Sequence, residues 1–270
     1  MTILETAYAK INLALHVRRR REDGYHELET LFAFVDFGDR LSAEQASRDQ
    51  LHVTGEFAGE LEDPFGNIIA KTLNSLPHGR GWRVTLDKRL PVAAGLGGGS
   101  ADAGAVFRMV ERDRGLPDNW VEKAAKLGAD VPACVASVAC IGTGTGTDLA
   151  PLDNDLDGLW ALLVNPRLPL ATGPVFTAWD TIDRGPLPTG SARAIAQGGR
   201  NDLAKPAQAL CPPIGDVLAA LAGTQPWLAR MSGSGATCFG LYESETEAIA
   251  AQTQLAARHP AWWFATGTLR

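Results

Sequence analysis

Glycine is concentrated in one stretch of the chain that is suited to binding a phosphate group. Five of the 29 glycines lie between residues 95 and 104, where Gly-Leu-Gly-Gly-Gly-Ser is followed by apolar residues at helical spacing as far as Arg114. Amides exposed by consecutive glycines, with the free N–H groups and the dipole of a following helix, stabilise a bound anion. The loop Gly95–Ser100 is therefore predicted to hold a phosphate. A glycine-rich helix start that only permits close packing is the alternative.

This loop differs from two common nucleotide-binding motifs. No Gly-Lys-Ser/Thr follows the glycines, as a Walker A loop requires, and no acidic residue follows at the spacing of a dinucleotide-binding fingerprint. The residues alone thus predict a phosphate-binding loop without specifying the nucleotide.

Two charged residues are further candidates for chemistry. Lys10 interrupts the alternating apolar segment 7–17, where a buried ammonium is costly unless it is paired. A lysine that reaches solvent at a strand edge is the alternative. Asn12 projects from the same face of such a strand. Asp130 precedes Pro132 and could cap a short helix.

The hydrophobic periodicity predicts a mixture of strands and helices, which is typical of an α+β protein. Strands are predicted at residues 7–17, 28–37, 51–53, 82–86, 159–164, 236–242 and 262–269. Helices are predicted at 67–76, at 101–114, at 118–127 with Asp118 as the cap, around 201–203, at 217–221, and from a Ser244 capping box to about 258. The polar segment 153–158 is the best boundary, so we divide the chain into domains of residues 1–155 and 156–270.

Composition limits the class of protein. Of the 270 residues, 45% are hydrophobic and 21% are charged, which is typical of a soluble globular chain with one large or two modest domains. The net charge of −6 argues against general nucleic-acid binding, and no long apolar run predicts a membrane span. Glu5 and Lys10 interrupt the apolar run of a signal peptide. The four cysteines and five histidines form no zinc-ligand pattern, so we expect no structural metal and a cytoplasmic location.

Several segments resemble the kinases of the galactokinase, homoserine kinase, mevalonate kinase and phosphomevalonate kinase superfamily, the GHMP kinases. The loop from Pro91 to Ala101 is similar to the nucleotide loop of that superfamily. Other segments are similar to one branch, the 4-diphosphocytidyl-2-C-methyl-D-erythritol kinases, and occur in the order of that family: residues 9–13 with 23–28, 127–132, 201–203 and 231–236. The resemblance extends from residue 7 to about residue 240.

The resemblance implies a two-domain GHMP kinase fold. An N-terminal ATP-binding domain of the ribosomal-protein-S5-like type would be followed by a C-terminal ferredoxin-like substrate domain, with the site between them. The implied reaction is ATP-dependent, Mg²⁺-assisted phosphorylation of the 2-hydroxyl of 4-diphosphocytidyl-2-C-methyl-D-erythritol, in the non-mevalonate isoprenoid pathway.

The resemblance also implies roles for individual residues. Lys10 and Asp130 form the implied catalytic pair, in which Asp130 either abstracts the proton of the acceptor hydroxyl or only orients that hydroxyl. Substrate binding is implied for Asn12, Tyr25, His26, Thr172 and Phe176, with the aromatic residues around the cytosine. ATP binding is implied for Asn67 and for Pro91, Val92, Ala93, Ala94, Gly95, Leu96, Gly97, Gly98, Gly99, Ser100 and Ala101, with the amides of 97–101 on the phosphates.

Two positions depart from the pattern of the family. Asp102 stands where an asparagine is common, and an interaction with the magnesium ion is one role for it; no metal ligand is assigned. Residues 92–94 lack a further glycine that related sequences often have.

The sequence argues against two other functions. Another kinase of the superfamily, acting on a sugar or an amino alcohol, would not need the aromatic residues Tyr25, His26 and Phe176. A ribonucleic-acid-binding module, whose domain type is shared with ribosomal proteins, would be basic. We therefore expect small-molecule partners, ATP and a cytidine diphosphate-linked polyol, and neither nucleic acid nor a membrane. A monomer or weak homodimer is expected.

Overall fold

The first sheet is built on a long antiparallel hairpin. The computed structural model describes residues 2–61, 67–77 and 79–270. The strands of this sheet are β1 (Ile3–Arg20), β2 (His26–Ala46), β3 (Gln50–Thr54), β4 (Gly81–Asp87), β5 (Cys140–Gly144) and β6 (Asp148–Ala150). Their order is β3-β4-β2-β5-β6, with β1 paired along β2. β4 and β5 pair with different parts of β2, which is why this strand is the longest.

Four helices pack against the first sheet: α1 (Ile68–Ser75), α2 (Gly98–Arg114), α3 (Trp120–Leu127) and α4 (Val131–Ala136). Their apolar sides form a core with Phe32 and Phe34 of β2. α2 and α4 approach so closely that a Cβ on Gly104 would lie 2.5 Å from the carbonyl oxygen of Cys134. The position of α4 therefore depends on the absence of a side chain at residue 104.

The second sheet has the strand order of a ferredoxin-like domain. Its strands are β7 (Trp160–Asn165), β8 (Leu228–Met231), β9 (Cys238–Tyr242) and β10 (Trp263–Thr268), all antiparallel in the order β10-β7-β9-β8. The helices α5 (Thr172–Thr177), α6 (Ala192–Gly198), α7 (Ala204–Leu210) and α8 (Pro213–Ala222) lie between β7 and β8, and α9 (Glu245–Arg258) lies between β9 and β10. This is the strand–helix–strand–strand–helix–strand sequence of that fold.

The alternation of β1 directs its side chains to two different environments. Ile11 and Leu13 are fully buried in a core that also contains Leu163 and Phe239 of the second sheet. Lys10, which directly precedes Ile11, and Asn12, which lies between Ile11 and Leu13, project from the opposite face. One apolar core thus joins the two sheets, and the polar residues of β1 are placed on the other side.

The α+β class and every predicted strand are confirmed, and the strands β5, β6 and β8 are additional. Two local predictions are wrong. Asp118 does not cap α3, because the chain first turns and Asn119 takes the cap position without a side-chain bond. Residues 201–203 lie between α6 and α7, because the Asn201 side chain accepts the Leu203 N–H at 2.9 Å and replaces a helical bond.

The boundary between residues 155 and 156 stays a prediction. It falls in the segment that connects β6 of the first sheet to β7 of the second. Among the described residues, no helix is both long enough and apolar enough to cross a membrane.

Substituting Gly104→Ala is expected to destabilise the protein by about 1–3 kcal/mol, because the new methyl group overlaps the α4 backbone. Gly99→Ala is the matched control, since a Cβ there would meet only Ile68 Cγ2 at 3.8 Å. Urea denaturation measures both free energies of unfolding. Equal stability of the two variants would contradict the close approach of α2 and α4.

Candidate active site

A buried ion pair joins β1 to the start of α4. Lys10 is only 4% exposed, and its Nζ lies 3.1 Å from Asp130 Oδ2. The same ammonium donates to Asn12 Oδ1 at 2.9 Å and lies 5.5 Å from the centre of the Phe32 ring. A buried ammonium is tolerated when it is paired and hydrogen-bonded in this way. The structure thus brings Lys10, Asn12 and Asp130 together, and Lys10 does not reach solvent at a strand edge.

Asp130 directs its carboxylate into a cavity. It precedes α4, but its side chain caps none of the helix amides. The side chain is 32% exposed and lines a main cavity of about 660 Å³. The carboxylate is therefore available both to Lys10 and to a ligand.

Hydrogen bonds fix the orientation of the Asn12 amide. Its Nδ2 donates to Thr30 Oγ1 at 2.8 Å, and the Thr30 hydroxyl donates to Ala14 O at 2.7 Å. The Asn12 N–H donates to Ser232 Oγ at 3.2 Å, and the Ser232 hydroxyl donates to Gly95 O at 2.8 Å. Sequence reasoning missed Thr30; its signal is a hydroxyl inside the apolar strand predicted at 28–37.

The glycine loop turns sharply before α2. Gly95 and Gly97 have φ angles of 76° and 62°, and Ala93 adopts the same left-handed region at 51°. This conformation costs about 1–2 kcal/mol in a residue that has a Cβ, so a glycine would fit better at residue 93. A Cβ on Gly97 would lie 3.0 Å from Lys10 Cε. The loop therefore passes directly over the Lys10 side chain.

Three amides at the first turn of α2 are placed to hold an anion, those of Gly98, Gly99 and Ser100. The Ala101 amide donates to Gly97 O at 2.7 Å and so is not available to a phosphate, contrary to the expectation from the sequence. Leu96 differs from the expectation too, because its side chain is buried in the core between the sheets and its carbonyl accepts the Lys10 N–H at 2.9 Å. Leu96 and Ala101 therefore stabilise the conformation of the loop through contacts within the protein.

A second glycine turn, residues 232–235, lies against the loop. A Cβ on Gly95 would be 2.4 Å from Ser232 O, so the two backbones are in direct contact. The Thr237 N–H donates to Ala94 O at 3.1 Å. The cleft between the two sheets is therefore closed along this edge.

The Asn201-Asp202 pair holds the second turn and β1 in register. Asn201 Nδ2 donates to Met231 O and to Gly233 O, each at 2.8 Å. Asp202 Oδ2 accepts the Val17 N–H at 2.9 Å. These side chains position the site without lining it.

The far end of the main cavity is aromatic. Tyr25, which is 63% exposed, His26 and Phe176 line it, and the ring centres of His26 and Phe176 are 5.0 Å apart. Trp179 meets the other side of His26 edge-on at 5.7 Å. Rings at this separation leave no gap, so a flat base would lie against His26 and Phe176 rather than between them. Burial, followed by the charge of Arg20, lowers the pKa of His26, so its ring is neutral at pH 7.

Thr172 lines the same cavity, at the start of α5, and its Oγ1 lies 3.1 Å from Ser234 Oγ. Sequence reasoning missed Trp179, which is buried against His26 and whose Nε1 has no hydrogen-bond partner in the described parts of the chain. Nothing local in the sequence distinguishes this tryptophan from an ordinary core residue.

A second cavity of about 290 Å³ adjoins the main one. Asn67 lines it, and its side chain also caps α1 by accepting the Ile69 N–H at 2.9 Å. The loop residues divide between the cavities: Pro91 and Val92 line the second, Ala94, Gly95, Gly97 and Ser100 line the main one, and Ala93, Gly98 and Gly99 line both.

Beneath the glycine loop, a buried lysine lies between two carboxylates, an arrangement that sequence reasoning missed. Lys88 Nζ is 2.5 Å from Asp39 Oδ2 and 3.0 Å from Asp102 Oδ2, and all three residues are at most 3% exposed. Asp102 is therefore paired with Lys88, which argues against the magnesium role considered for it. Its Oδ1 has no hydrogen-bond partner among the described residues.

Burial dominates the protonation of this cluster. It raises the pKa of Asp102 to about 8 against the attraction of Lys88, and the charge of Asp39 adds to the increase. Burial acts to lower the pKa of Lys88, but the two carboxylates outweigh it and the net shift is upward. The cluster thus retains a proton on Asp102 near neutral pH.

No group of three or more His, Cys, Asp or Glu side chains suited to a metal ion occurs in residues 2–61, 67–77 and 79–270. Ser100 and Asp130 offer oxygen atoms beside the glycine loop. Such a sparse donor set fits a Mg²⁺ ion that arrives bound to phosphate oxygens and water.

Two family models match the chain. The model described as "GHMP kinases N terminal domain" matches residues 65–138, and the one described as "GHMP kinases C terminal" matches residues 189–261. The first match contains the glycine loop and Asp130, and the second contains the Asn201 and Ser232 segments.

Curated relatives and solved structures resemble the whole chain. Proteins named 4-diphosphocytidyl-2-C-methyl-D-erythritol kinase are 67% identical in Novosphingobium aromaticivorans (100% of this chain, 94% of the relative) and 63% identical in Erythrobacter litoralis (99% and 100%). A crystal structure of 4-(cytidine 5'-diphospho)-2C-methyl-D-erythritol kinase superposes with a TM-score of 0.82 at 34% identity, covering 99% of each chain. Homoserine kinase from Cytophaga hutchinsonii shares the fold, with a TM-score of 0.67 at 16% identity. The match covers 99% of this chain and 95% of the homoserine kinase chain.

Asp102→Asn is expected to reduce the pH dependence of stability. Because the pKa of Asp102 is raised to about 8 in the folded chain, from about 4 when unfolded, the folded state binds an extra proton between these values. Wild-type stability therefore falls as pH rises through this interval, by up to about 1.4 kcal/mol per pH unit for one proton.

Urea denaturation between pH 5 and 9 measures this slope, with the exposed Asp118→Asn as the matched control. Asp102→Asn should give a flatter curve than the wild type, and Asp118→Asn a parallel one. Parallel curves for both variants would contradict the proton on Asp102.

Proposed function

Because this chain belongs to the 4-diphosphocytidyl-2-C-methyl-D-erythritol kinase family of the GHMP kinases, we propose that it transfers the γ-phosphoryl group of ATP to the 2-hydroxyl of 4-diphosphocytidyl-2-C-methyl-D-erythritol, in the non-mevalonate isoprenoid pathway. One observation carries the assignment of the site. The Lys10–Asp130 pair lies in a cavity that has phosphate-binding amides on one side and the aromatic residues around His26 on the other.

Asp130 receives the proton of the acceptor hydroxyl in the proposed mechanism. Its Oδ2 is held by Lys10, which leaves Oδ1 to accept the hydrogen bond of the alcohol. As the new bond between the alcohol oxygen and the γ-phosphorus forms, the bond from that phosphorus to the β–γ bridging oxygen breaks. The electron pair leaves with ADP, and the proton passes to Asp130. The transition state of such transfers is loose, so positioning of the alcohol contributes much of the rate.

Lys10 supports both the base and the phosphoryl group. Its Cε lies just beneath Gly97, so the ammonium is adjacent to the amides that would hold the terminal phosphate. A fixed positive charge there stabilises the negative charge of the transferring group. Its bond to Asn12 Oδ1 keeps the ammonium from turning away from the cavity.

The amides of Gly98, Gly99 and Ser100 are the proposed binding site for the β- and γ-phosphates. The second cavity, which Asn67 lines, is the proposed binding site for the adenine. Mg²⁺ fits as an ion carried by the nucleotide, with Ser100 or Asp130 as the protein oxygen nearest to it. When bound, it neutralises charge on the phosphate oxygens.

The aromatic end of the main cavity is the proposed binding site for the cytosine. Tyr25 and Phe176 supply ring faces, and the neutral His26 ring supplies one donor and one acceptor. A kinase of a smaller acceptor, such as homoserine, does not need an aromatic group at the far end of the cavity from Lys10. This feature favours the cytidine-bearing substrate over another acceptor of the superfamily.

We further propose a cytoplasmic enzyme, monomeric or weakly dimeric, whose partners are these small molecules. All four cysteines are free and buried, as is usual in a reducing compartment.

Asp130→Asn and Lys10→Ala are each expected to lower kcat by at least about 100-fold, because the base or its supporting charge is lost. A coupled ADP-release assay with ATP, Mg²⁺ and 4-diphosphocytidyl-2-C-methyl-D-erythritol measures this, with Asp118→Asn as an exposed control. Phosphorylation of homoserine or mevalonate instead of this acceptor would overturn the proposed substrate. Undiminished turnover of Asp130→Asn would overturn the proposed base.

Phe176→Ala is expected to raise KM for the cytidyl substrate about tenfold or more, because stacking on a base contributes about 1–3 kcal/mol. KM for ATP should stay within about twofold, since Phe176 does not line the second cavity, which is proposed for the adenine. Phe264→Ala is the control, a half-buried phenylalanine that packs on Trp262 away from the cavity. A change in KM for ATP alone would place the base elsewhere.

A further inference from the structure

The 178–190 segment, which joins α5 to α6, contains neither helix nor strand. Its first half is folded by its own side chains. The Arg184 guanidinium donates to Asp180 Oδ1 at 3.0 Å, and Asp183 Oδ1 accepts the Gly185 N–H at 2.8 Å. Residues 180–185 thus form one unit, in which a displacement at one end is passed to the other.

His16 ties this unit to β1. Its Nε2 lies 3.1 Å from the backbone nitrogen of Arg200, and because an amide N–H only donates, this ring nitrogen accepts. Burial, followed by the charge of Arg200, lowers the pKa of His16, so the ring is neutral at pH 7. The single ring proton is therefore on Nδ1, which donates to Gly185 O at 3.1 Å. Arg200 Nη2 donates to the same carbonyl at 2.9 Å.

Two carboxylates extend this attachment to both strands of the long hairpin. Arg18 Nε of β1 lies 3.0 Å from Asp183 Oδ1, and Glu29 Oε2 of β2 accepts the Leu187 N–H at 2.7 Å. The Arg18 and Asp183 side chains are partly exposed, whereas His16 is fully buried. Since water does not compete for a buried hydrogen bond, the His16 contact is the stronger point of attachment.

The other end of the unit adjoins the helix that borders the main cavity. The backbone N–H of Trp179 donates to Phe176 O at 3.2 Å, and its ring meets His26 edge-on. α5 has only six residues, and a helix this short is not stable on its own. Its position therefore depends on contacts at its two ends, which are Thr172 with Ser234 at the start and the 178–190 segment after it.

We propose that His16 is a positioning residue for substrate binding, which holds the 178–190 segment against β1 and so keeps α5, with Thr172 and Phe176, over the main cavity. This inference rests on the proposed function, in which Phe176 contacts the cytosine. His16 is six residues from Lys10, which is about 20 Å along a strand. It therefore acts on binding of the acceptor and not on the transfer of the phosphoryl group.

The test separates the two hydrogen bonds of the His16 ring. The amide of His16→Gln reaches the position of Nε2 and accepts the Arg200 N–H, whereas that of His16→Asn reaches the position of Nδ1 and donates to Gly185 O. His16→Gln should raise KM for the cytidyl substrate about three- to tenfold, with kcat and KM for ATP within about twofold. His16→Asn and the exposed control His52→Gln should stay within about twofold of the wild type. Equal KM values for His16→Gln and His16→Asn would overturn the proposal.

Limited trypsin digestion of the native protein reports on the same attachment, because cleavage after Arg184 requires local opening of the 178–190 segment. His16→Gln should speed this cleavage about threefold or more relative to cleavage after the exposed Arg258 in α9. CDP should slow cleavage after Arg184 in the wild type, since coupling between binding and attachment is reciprocal. Faster cleavage in His16→Gln with no protection by CDP would show a purely structural role.

Asp183→Ala is the second arm, in case substitution of a fully buried histidine impairs folding. The Asp183 side chain is 43% exposed, and its loss removes the contact with Arg18 and the bond to the Gly185 N–H. KM for the cytidyl substrate should rise by at least about twofold, with kcat unchanged. An unchanged KM in Asp183→Ala, together with an unfolded or unaffected His16→Gln, would overturn the proposal.

Binding of CDP, measured by calorimetry without turnover, separates this inference from the proposed function. If the wild type neither phosphorylates the cytidyl substrate nor binds CDP, the proposed function fails. If it does both and His16→Gln and Asp183→Ala bind CDP as tightly as the wild type, only the role of His16 fails.

Discussion

A single ammonium group constrains the architecture of the site. Lys10 lies inside a strand that is buried on both faces, and a charge in that position must be paired. Asp130 and Asn12 meet this requirement, and in doing so they fix the start of α4 and the face of β1 relative to each other. The same constraint explains the glycine at residue 97, because a Cβ there would lie only 3.0 Å from Lys10 Cε. The glycine loop, the carboxylate and the strand are thus positioned by one interaction.

The site also depends on the core that joins the two sheets. Ile11 and Leu13 pack against β7 and β9, so a shift of the second sheet would move the strand that carries Lys10. Arg230 strengthens this connection from within the protein, because its guanidinium donates to the carbonyl oxygens of Leu13, Ala196 and Gly199. The face of β1 that carries Lys10 is therefore held in place by contacts from both halves of the chain.

Features encoded locally were predictable from the sequence, and features made by distant contacts were not. The glycine loop, the strand around Lys10 and the Ser244 cap depend on neighbouring residues, and the structure contains all three. The prediction of a helix at 201–203 was wrong because the Asn201 side chain accepts the Leu203 N–H and is itself held by a turn thirty residues away. The Lys88 cluster and Trp179 were missed for the same reason: their partners come from separate segments, and each residue type is common in cores and loops. The pairing of Lys10 with Asp130 was anticipated only through the family resemblance.

The residues shared by the two cavities have a consequence for how two substrates could bind. Gly98 and Gly99 line both spaces and have no side chains to block the passage between them. In the proposed mode of binding, the triphosphate would pass these glycines while its base lies in the second cavity and the acceptor lies in the main one. Under the proposed function, each substrate would enter its own cavity, and neither would block the binding of the other.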